Sequence, residues 1–272
     1  MTLNDDITRV LKETSRTFFI PIARLPARLQ ETIASAYLCM RAIDEIEDHP
    51  VLDNFTKAKL LRGLGPLLQA QIGLESNFTS IPKLEVLFSP YQTVLPEVTL
   101  RIDEWLLSAP ADIAPRIWDA TVAMAERMAY WVENNWLIQT EVDLDGYTFS
   151  VAGAVGLLIC DIWGWYDGTR IDRACAVQFG RELQSVNILR NQTEDAKRGV
   201  NFFPVGWTKK NMFAYARKNI DLAKAGVTSM PKSTFKYFVE IPLHLAEATL
   251  NAVESGDGKL SRKQVLEIVG QV

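Results

Sequence analysis

The chain has 272 residues, 48% of them hydrophobic and 23% charged, an ordinary globular composition with ample length for a core. Lys+Arg 29 against Asp+Glu 33 gives a net charge of −4, so neither a basic nucleic-acid surface nor a like-charged tail is expected. Cys39, Cys160 and Cys175 are odd in number and form no C-x-x-C pair, which argues against a disulfide framework and for free thiols in a reducing compartment.

Helical periodicity dominates from end to end. Asp5 or Asp6 can start a helix running toward Ile22, with Pro21 bending or ending it. Pro26 suits the first turn of a second helix, which stops before Pro50. A third covers Phe55–Gln71, followed by shorter helices at Leu84–Phe88 and Val98–Leu107 and a long one at Ala114–Gln139. Thr148–Trp163, rich in small and aliphatic residues, precedes Ile171–Lys197, Lys209–Ala225, Ser233–Glu254 and Ser261–Val269. Gly146, Gly168, Gly199 and Gly256–Gly258 mark breaks. No repeat, low-complexity segment or dividing linker is present, so residues 1–272 are expected to form a single all-α domain, a helical bundle around a central apolar cavity. Met1–Arg9 is polar and lacks the apolar core of a secretory leader. The longest apolar stretch, Val151–Trp165, is interrupted by Asp161 and too short to span a bilayer. A cytoplasmic location is expected.

Two of these helices carry oxygen ligands in stripes. At about 100° per residue, Tyr37, Arg41, Asp44 and Asp48 fall within about 60° of arc, and Gln184, Asn187, Asn191 and Asp195 within about 80°. Clustered acids are commonly a solvated face, but Arg41 one turn before them can balance charge or grip a phosphate bidentately, and Tyr37 continues the stripe. On the second helix, Phe179, Leu183, Val186 and Leu189 form an apolar side, while Gln184 and Asn187 place amides that cost free energy to bury unless paired. Two such stripes facing each other would hold hard divalent cations, with a diphosphate completing the coordination. Lys197 and Arg198 follow, suited either to contact a leaving diphosphate or to solvate the helix end. Gly153 and Gly156 lower helix propensity, which fits close helix packing or a groove wall for an apolar chain.

These residues carry a resemblance to the squalene/phytoene synthase family, the head-to-head prenyl transferases, over roughly Thr14 to Pro204. Ser15-Arg16-Thr17-Phe18 resembles the family's S-[RK]-[ST]-F. Tyr37–Asp48 resembles Y-x-x-x-R-x-x-D-x-x-x-D, and Tyr147 followed by Val151-Ala152-Gly153 resembles its Y…V-A-G segment. Gln184–Asp195 resembles Q-x-x-N-I-x-R-D-x-x-x-D, and Gly199–Pro204 the G-R-x-[YF]-x-P that follows. The resemblance implies an isoprenoid-synthase fold and a farnesyl or geranylgeranyl diphosphate substrate. It implies Mg²⁺, with Mn²⁺ as an alternative, held by Asp44, Asp48 and Asp195, with Asn187 and Asn191 as further ligands. Tyr37, Arg41, Tyr147, Asn187 and Arg190 would surround the diphosphates and the carbocation; Ser15, Phe18, Gln184 and Arg262 would bind substrate. A lipid substrate implies transient contact with a membrane surface and no obligate protein partner.

The chain departs from the pattern at three places. Asn191 stands where the second motif has its first Asp, Val200 replaces the Arg after Gly199, and Glu254 stands where a Tyr usually follows Ala248-Thr249-Leu250, with Lys259 and Arg262 keeping a basic cluster beyond. A neutral ligand at 191 and a missing pocket tyrosine should hurt the second substrate first. Water would then capture the allylic cation, so cleavage of farnesyl diphosphate to farnesol is the leading expectation. Condensation to squalene, dehydrosqualene, phytoene or presqualene diphosphate is the alternative, and a non-catalytic prenyl-diphosphate binder the third. Without the Arg at 200, no NAD(P)H is expected.

Overall fold

A computed structural model describes residues 3–15, 18–69 and 84–271. Among these, regular structure is helical throughout, with no strand. By its contacts the chain divides into two compact units, Met1–Asn135 and Trp136–Val272.

The first unit contains α1 (Asp5–Ser15), α2 (Phe19–Ala23), α3 (Ala27–Glu47), α4 (Asn54–Gln69), α5 (Leu84–Phe88), a 3₁₀ turn at Ser89–Tyr91, α6 (Glu97–Leu100), α7 (Ile102–Leu107) and α8 (Ala114–Glu133). The single helix expected from Asp5 to Ile22 is two. Pro21 sits third in α2, where a helix has no intrahelical partner for an N–H, so the ring costs no bond. Arg16 and Thr17, and Gln71 at the end of the third expected helix, lie outside the described residues. The helix expected at Val98–Leu107 is also divided, at Arg101 (φ −106°, ψ 23°), whose guanidinium lies over Trp105 (4.7 Å) and pairs with Glu97 and Glu104 (both 2.6 Å). The helix α8 stops at Glu133, short of Gln139, because Asn135 and Trp136 adopt left-handed φ of 52° and 48°. Asn54 Nδ2 donates to Asn135 Oδ1 (2.8 Å) and so holds the first of them.

The core of this unit forms around α3. Leu29, Leu38, Ile43 and Ile46 are fully buried, each contributing roughly 1.5–3 kcal/mol against the entropy of ordering the chain. Cross-bonds fix the register of α3: Ser35 Oγ donates to the Trp105 carbonyl (2.7 Å) and Thr99 Oγ1 to that of Ala42 (2.9 Å). His49 stops the helix. Its Nδ1 accepts from the Val51 and Leu52 amides (3.3 and 3.2 Å), so Nε2 is the donor to the Val94 carbonyl (2.9 Å).

The second unit contains α9 (Glu141–Thr148), a π turn at Phe149–Gly153, α10 (Ala154–Asp167), α11 (Arg173–Lys197), α12 (Lys209–Ser229), α13 (Thr234–Ser255) and α14 (Arg262–Gln271). Thr140 caps α9, accepting from the Asp143 amide (3.2 Å), and Asp172 caps α11, accepting from the Ala174 and Cys175 amides (2.8 and 3.2 Å). Gly168, Gly199, Gly256 and Gly258 break helices at positive φ, as their spacing suggests, but Gly146 lies inside α9. The run Glu141–Asp167 is 27 residues, long and apolar enough by length and composition to cross a membrane, where the apolar stretch alone is too short. The π turn makes the difference by joining α9 to α10 without a break, and half of the run's most apolar window is buried inside the protein.

Here α11 is the central helix. It meets the π turn and α10 at backbone contact: a Cβ on Gly156 would lie 2.1 Å from the Ala176 carbonyl oxygen, and one on Gly180 2.3 Å from that of Ala152. On this side the room left by these small residues is filled by protein backbone, as close packing predicts, while Gly156 also lines a small apolar pocket with Ile159, Phe179 and Val239.

Candidate active site

The first ligand stripe lies near the C-terminal end of α3. Arg41 Nη1 donates to Asp44 Oδ2, and Nη2 donates to Glu45. All three side chains are half-buried, and Arg41 Nε is buried with no hydrogen-bond partner among the described residues. Asp48, one turn beyond Asp44, is half-buried too, while Glu47 between them turns inward and its carbonyl accepts from the buried Lys57 ammonium (2.8 Å). Tyr37 Oη donates to the Thr14 carbonyl (3.2 Å), and its ring lies 6.0 Å from that of Phe18. Ser15 is buried and donates to the Leu11 carbonyl (2.5 Å). The structure therefore gathers Ser15, Phe18, Tyr37, Arg41, Asp44 and Asp48 along α3 and the end of α1.

The second stripe lies on α11. Gln184, Asn187 and Asn191 are half-buried, and Asn191 Oδ1 accepts from Nε of the exposed Arg190 (3.1 Å). Asp195 is buried and accepts from Arg198 Nη2 (2.7 Å). Arg198 is thus the ion-pair partner of Asp195. Tyr147 of α9 is buried and stacked on Phe202, with ring centroids 4.4 Å apart. Arg262 opens α14 at the surface, and Lys259 reaches Glu194 at 3.5 Å. A cavity of about 420 Å³ runs beside the C-terminal end of α11, walled by Ile188, Val200, Phe202, Phe203 and Trp207, with Gln192, Asp195 and Lys209 as polar lining.

Three comparisons bear on this arrangement. The family model for squalene/phytoene synthase matches residues 11–214, which include both stripes and Tyr147. The chain belongs to the squalene/phytoene synthase family. It is 26% identical over 251 residues to a squalene synthase of Botryococcus braunii, covering 90% of this chain and 51% of that protein. To squalene synthase of Rattus norvegicus it is 26% identical over 247 residues, covering 88% and 56%. A 15-cis-phytoene synthase of Enterobacter agglomerans is 41% identical over 69 residues, 25% of this chain and 23% of that one. The chain thus spans about half the length of the squalene synthases it matches. A solved ligand complex of TcSQS superposes with a TM-score of 0.77 at 21% identity, covering 98% of this chain and 85% of the other, which shows the isoprenoid-synthase fold.

Membership of the family implies Mg²⁺, and the donors fit it. Asp44 and Asp48 present oxygen one turn apart on α3, as do Asn191 and Asp195 on α11, and Mg²⁺ takes hard oxygen ligands. Among the described residues no group of three His, Cys, Asp or Glu side chains could hold a metal by itself. Each stripe therefore needs further oxygens, from water or phosphate, to complete an octahedron.

Of the departures from the family pattern, Val200 is a buried wall of the cavity. Glu254, expected to leave a pocket short of a tyrosine, is exposed and pairs with Arg217, which also reaches Asn251 (3.2 Å). Its carboxylate thus lies at the surface, and that part of the case for hydrolysis falls away. Two residues that the motifs do not single out are the most unusual in the second unit. Glu182 is fully buried and, among the described residues, neither of its carboxylate oxygens is hydrogen-bonded, nor is the buried Arg181 Nε. Burial pushes the Glu182 carboxyl well above the usual glutamate range, and the Glu247 charge adds to the effect. The helical count does place Glu182 on the apolar side, three residues after Phe179 and four before Val186. The free thiols expected from the sequence are Cys39 and Cys160, both buried, and the half-buried Cys175; burial pushes Cys160 up to about 11.

Proposed function

We propose that the chain catalyses Mg²⁺-dependent head-to-head condensation of two allylic prenyl diphosphates, farnesyl diphosphate being the favoured substrate. The observation that carries this reading is the family match across residues 11–214, with Asp44, Asp48, Asn187 and Asp195 all retained. In the first step the allylic C–O bond breaks, and its electron pair leaves with the diphosphate. Bound Mg²⁺ would supply Lewis-acid stabilisation of the charge that develops on the leaving oxygens. The donors each unit would offer such an ion are Asp44 and Asp48 on α3, and Asn191 and Asp195 on α11. Arg41 is preorganised beside its two carboxylates, which fix its guanidinium within the first stripe. The stacked pair Tyr147 and Phe202 offers aromatic faces of the kind that stabilise a cation. The double bond of the second substrate then attacks the cation, forming a C–C bond with loss of a proton.

Capture of the cation by water, giving the prenyl alcohol, is a second reading. Asn191 favours it, because a neutral amide with its oxygen already bonded to Arg190 holds a metal less firmly than a carboxylate. Incubation with farnesyl diphosphate and Mg²⁺, with and without NADPH, followed by extraction and mass spectrometry, separates the two. A C30 product abolished by EDTA is expected; farnesol and pyrophosphate alone would overturn condensation. If farnesol is formed, Asn191→Asp should raise the share of C30 product, and an unchanged product ratio would remove Asn191 from the explanation.

A further inference from the structure

The cavity beside α11 holds an unassigned cation. Val200, Phe202, Phe203 and Trp207 give it apolar walls, and Asp195 enters from one side. The Asp195 charge is already matched by Arg198 at 2.7 Å. Lys209 lines the same space, and among the described residues it makes no ion pair or hydrogen bond through its ammonium group. Its side chain is exposed, and the backbone that carries it is held by the turn before it. The Gly199–Thr208 connection is tied down by Val200 N to the Asp195 carbonyl (3.0 Å), Val205 N to the Gln139 carbonyl (3.1 Å) and Trp207 N to the Pro204 carbonyl (2.9 Å). Trp207 packs against Tyr215 (5.9 Å), and Asn211 Oδ1 accepts from both Thr208 N and Thr208 Oγ1 (2.9 and 2.7 Å) at the start of α12.

We propose that Lys209 is the cation this cavity offers to a diphosphate, doing the work of the basic side chain that Val200 cannot supply. The inference rests on the prenyl-diphosphate reading above. Ammonium binds phosphate as a point charge on a flexible four-carbon stem, so it tolerates the offset between positions 200 and 209. An anion entering here finds Asp195 matched by Arg198 and an apolar wall at 200, with Gln192 and Asn201 as neutral donors and Lys209 as the cation.

The test is calorimetric titration of the full chain with inorganic pyrophosphate in Mg²⁺, and in parallel with a non-hydrolysable farnesyl thiodiphosphate. A charge-assisted hydrogen bond is worth enough that Lys209→Gln should weaken both ligands by about tenfold or more. Lys209→Arg should restore most of the affinity, and Val200→Arg in the Lys209→Gln background should restore part of it. Wild-type affinity in Lys209→Gln would overturn the role of Lys209 and leave the condensation reading standing. So would a loss confined to the prenylated ligand, or a loss that Lys209→Arg does not repair. Failure of the unaltered chain to bind pyrophosphate with Mg²⁺ would overturn both.

Discussion

On α3, Arg41 pairs with two carboxylates of its own helix, Asp44 and Glu45, and a further acid, Asp48, lies one turn on. On α11 the order is reversed and the charge is sparse: three amides precede one carboxylate, Asp195, whose arginine follows it. The side chains of the first pair are about 31% exposed, whereas that of Asp195 is 11% exposed. One stripe is therefore rich in mutually balanced charge near solvent, and the other concentrates its anionic character in a single buried group. The helices beneath them differ in the same sense. In the first unit a Cβ on Gly63 of α4 would meet the tip of Leu87, a side chain that can move, whereas Gly156 in the second faces immovable backbone.

The contrast predicts unequal costs. Asp195→Ala removes the only acid of the α11 stripe and should lower pyrophosphate release by about three orders of magnitude. Asp44→Ala, on a helix that keeps Glu45 and Asp48, should lower it by about two. Equal losses in steady-state assays at saturating Mg²⁺ would erase the distinction between the stripes. For stability, Gly156→Ala should cost about 3 kcal/mol in denaturant unfolding, because two backbones must separate. Gly63→Ala should fall within about 1 kcal/mol of neutral, the gain in helix propensity offsetting the displaced Leu87 methyl. A costly Gly63→Ala would show that the first unit is packed as rigidly as the second.

The smallest predicted effect is at Glu182. Burial raises the pKa of this carboxyl in the folded chain well above the ordinary glutamate range in which the unfolded chain titrates. Above that range, and up to the raised folded value, the unfolded state binds fewer protons, so stability falls as pH rises through the window. Glu182→Met removes the buried unsatisfied oxygens and should stabilise by about 2 kcal/mol near neutral pH, with a flatter pH dependence. Parallel melting curves for the variant and the unaltered chain from about pH 5 to about pH 8 would rule out the carboxyl as the source of that slope.

Much of this was legible in the sequence because it is local. Pro26 announces a helix start through backbone chemistry that needs no tertiary partner, and the 3.6-residue period alone puts Asp44 with Asp48 and Asn191 with Asp195. The rest depended on what each side chain meets. The left-handed corner at Asn135 and Trp136 carries no glycine to betray it; a side-chain hydrogen bond from Asn54 and the burial of Trp136 accompany it. Residue 254 reads as part of a pocket by analogy, but Arg217 from another helix holds it at the surface. Glu182 was readable from its place among Phe179 and Val186, yet a glutamate in a helix is ordinarily taken for solvent-facing until burial is seen. Lys209, fourteen residues past Asp195, shares its cavity only because the Gly199–Thr208 connection folds back.

The reciprocal fit of Gly156 against Ala176 and of Gly180 against Ala152 also bears on how such a protein can diversify. Neither position can gain a methyl group without separating two backbones, and a change at one does not make room at the other. Descent with modification therefore cannot retune this half of the molecule by sliding α11 along its neighbours. Variation is channelled instead into the groups that α11 presents, with the helix axis as a fixed rail. Asn191 is a substitution of that kind: a change of chemistry on an inherited frame, reversible at a single residue.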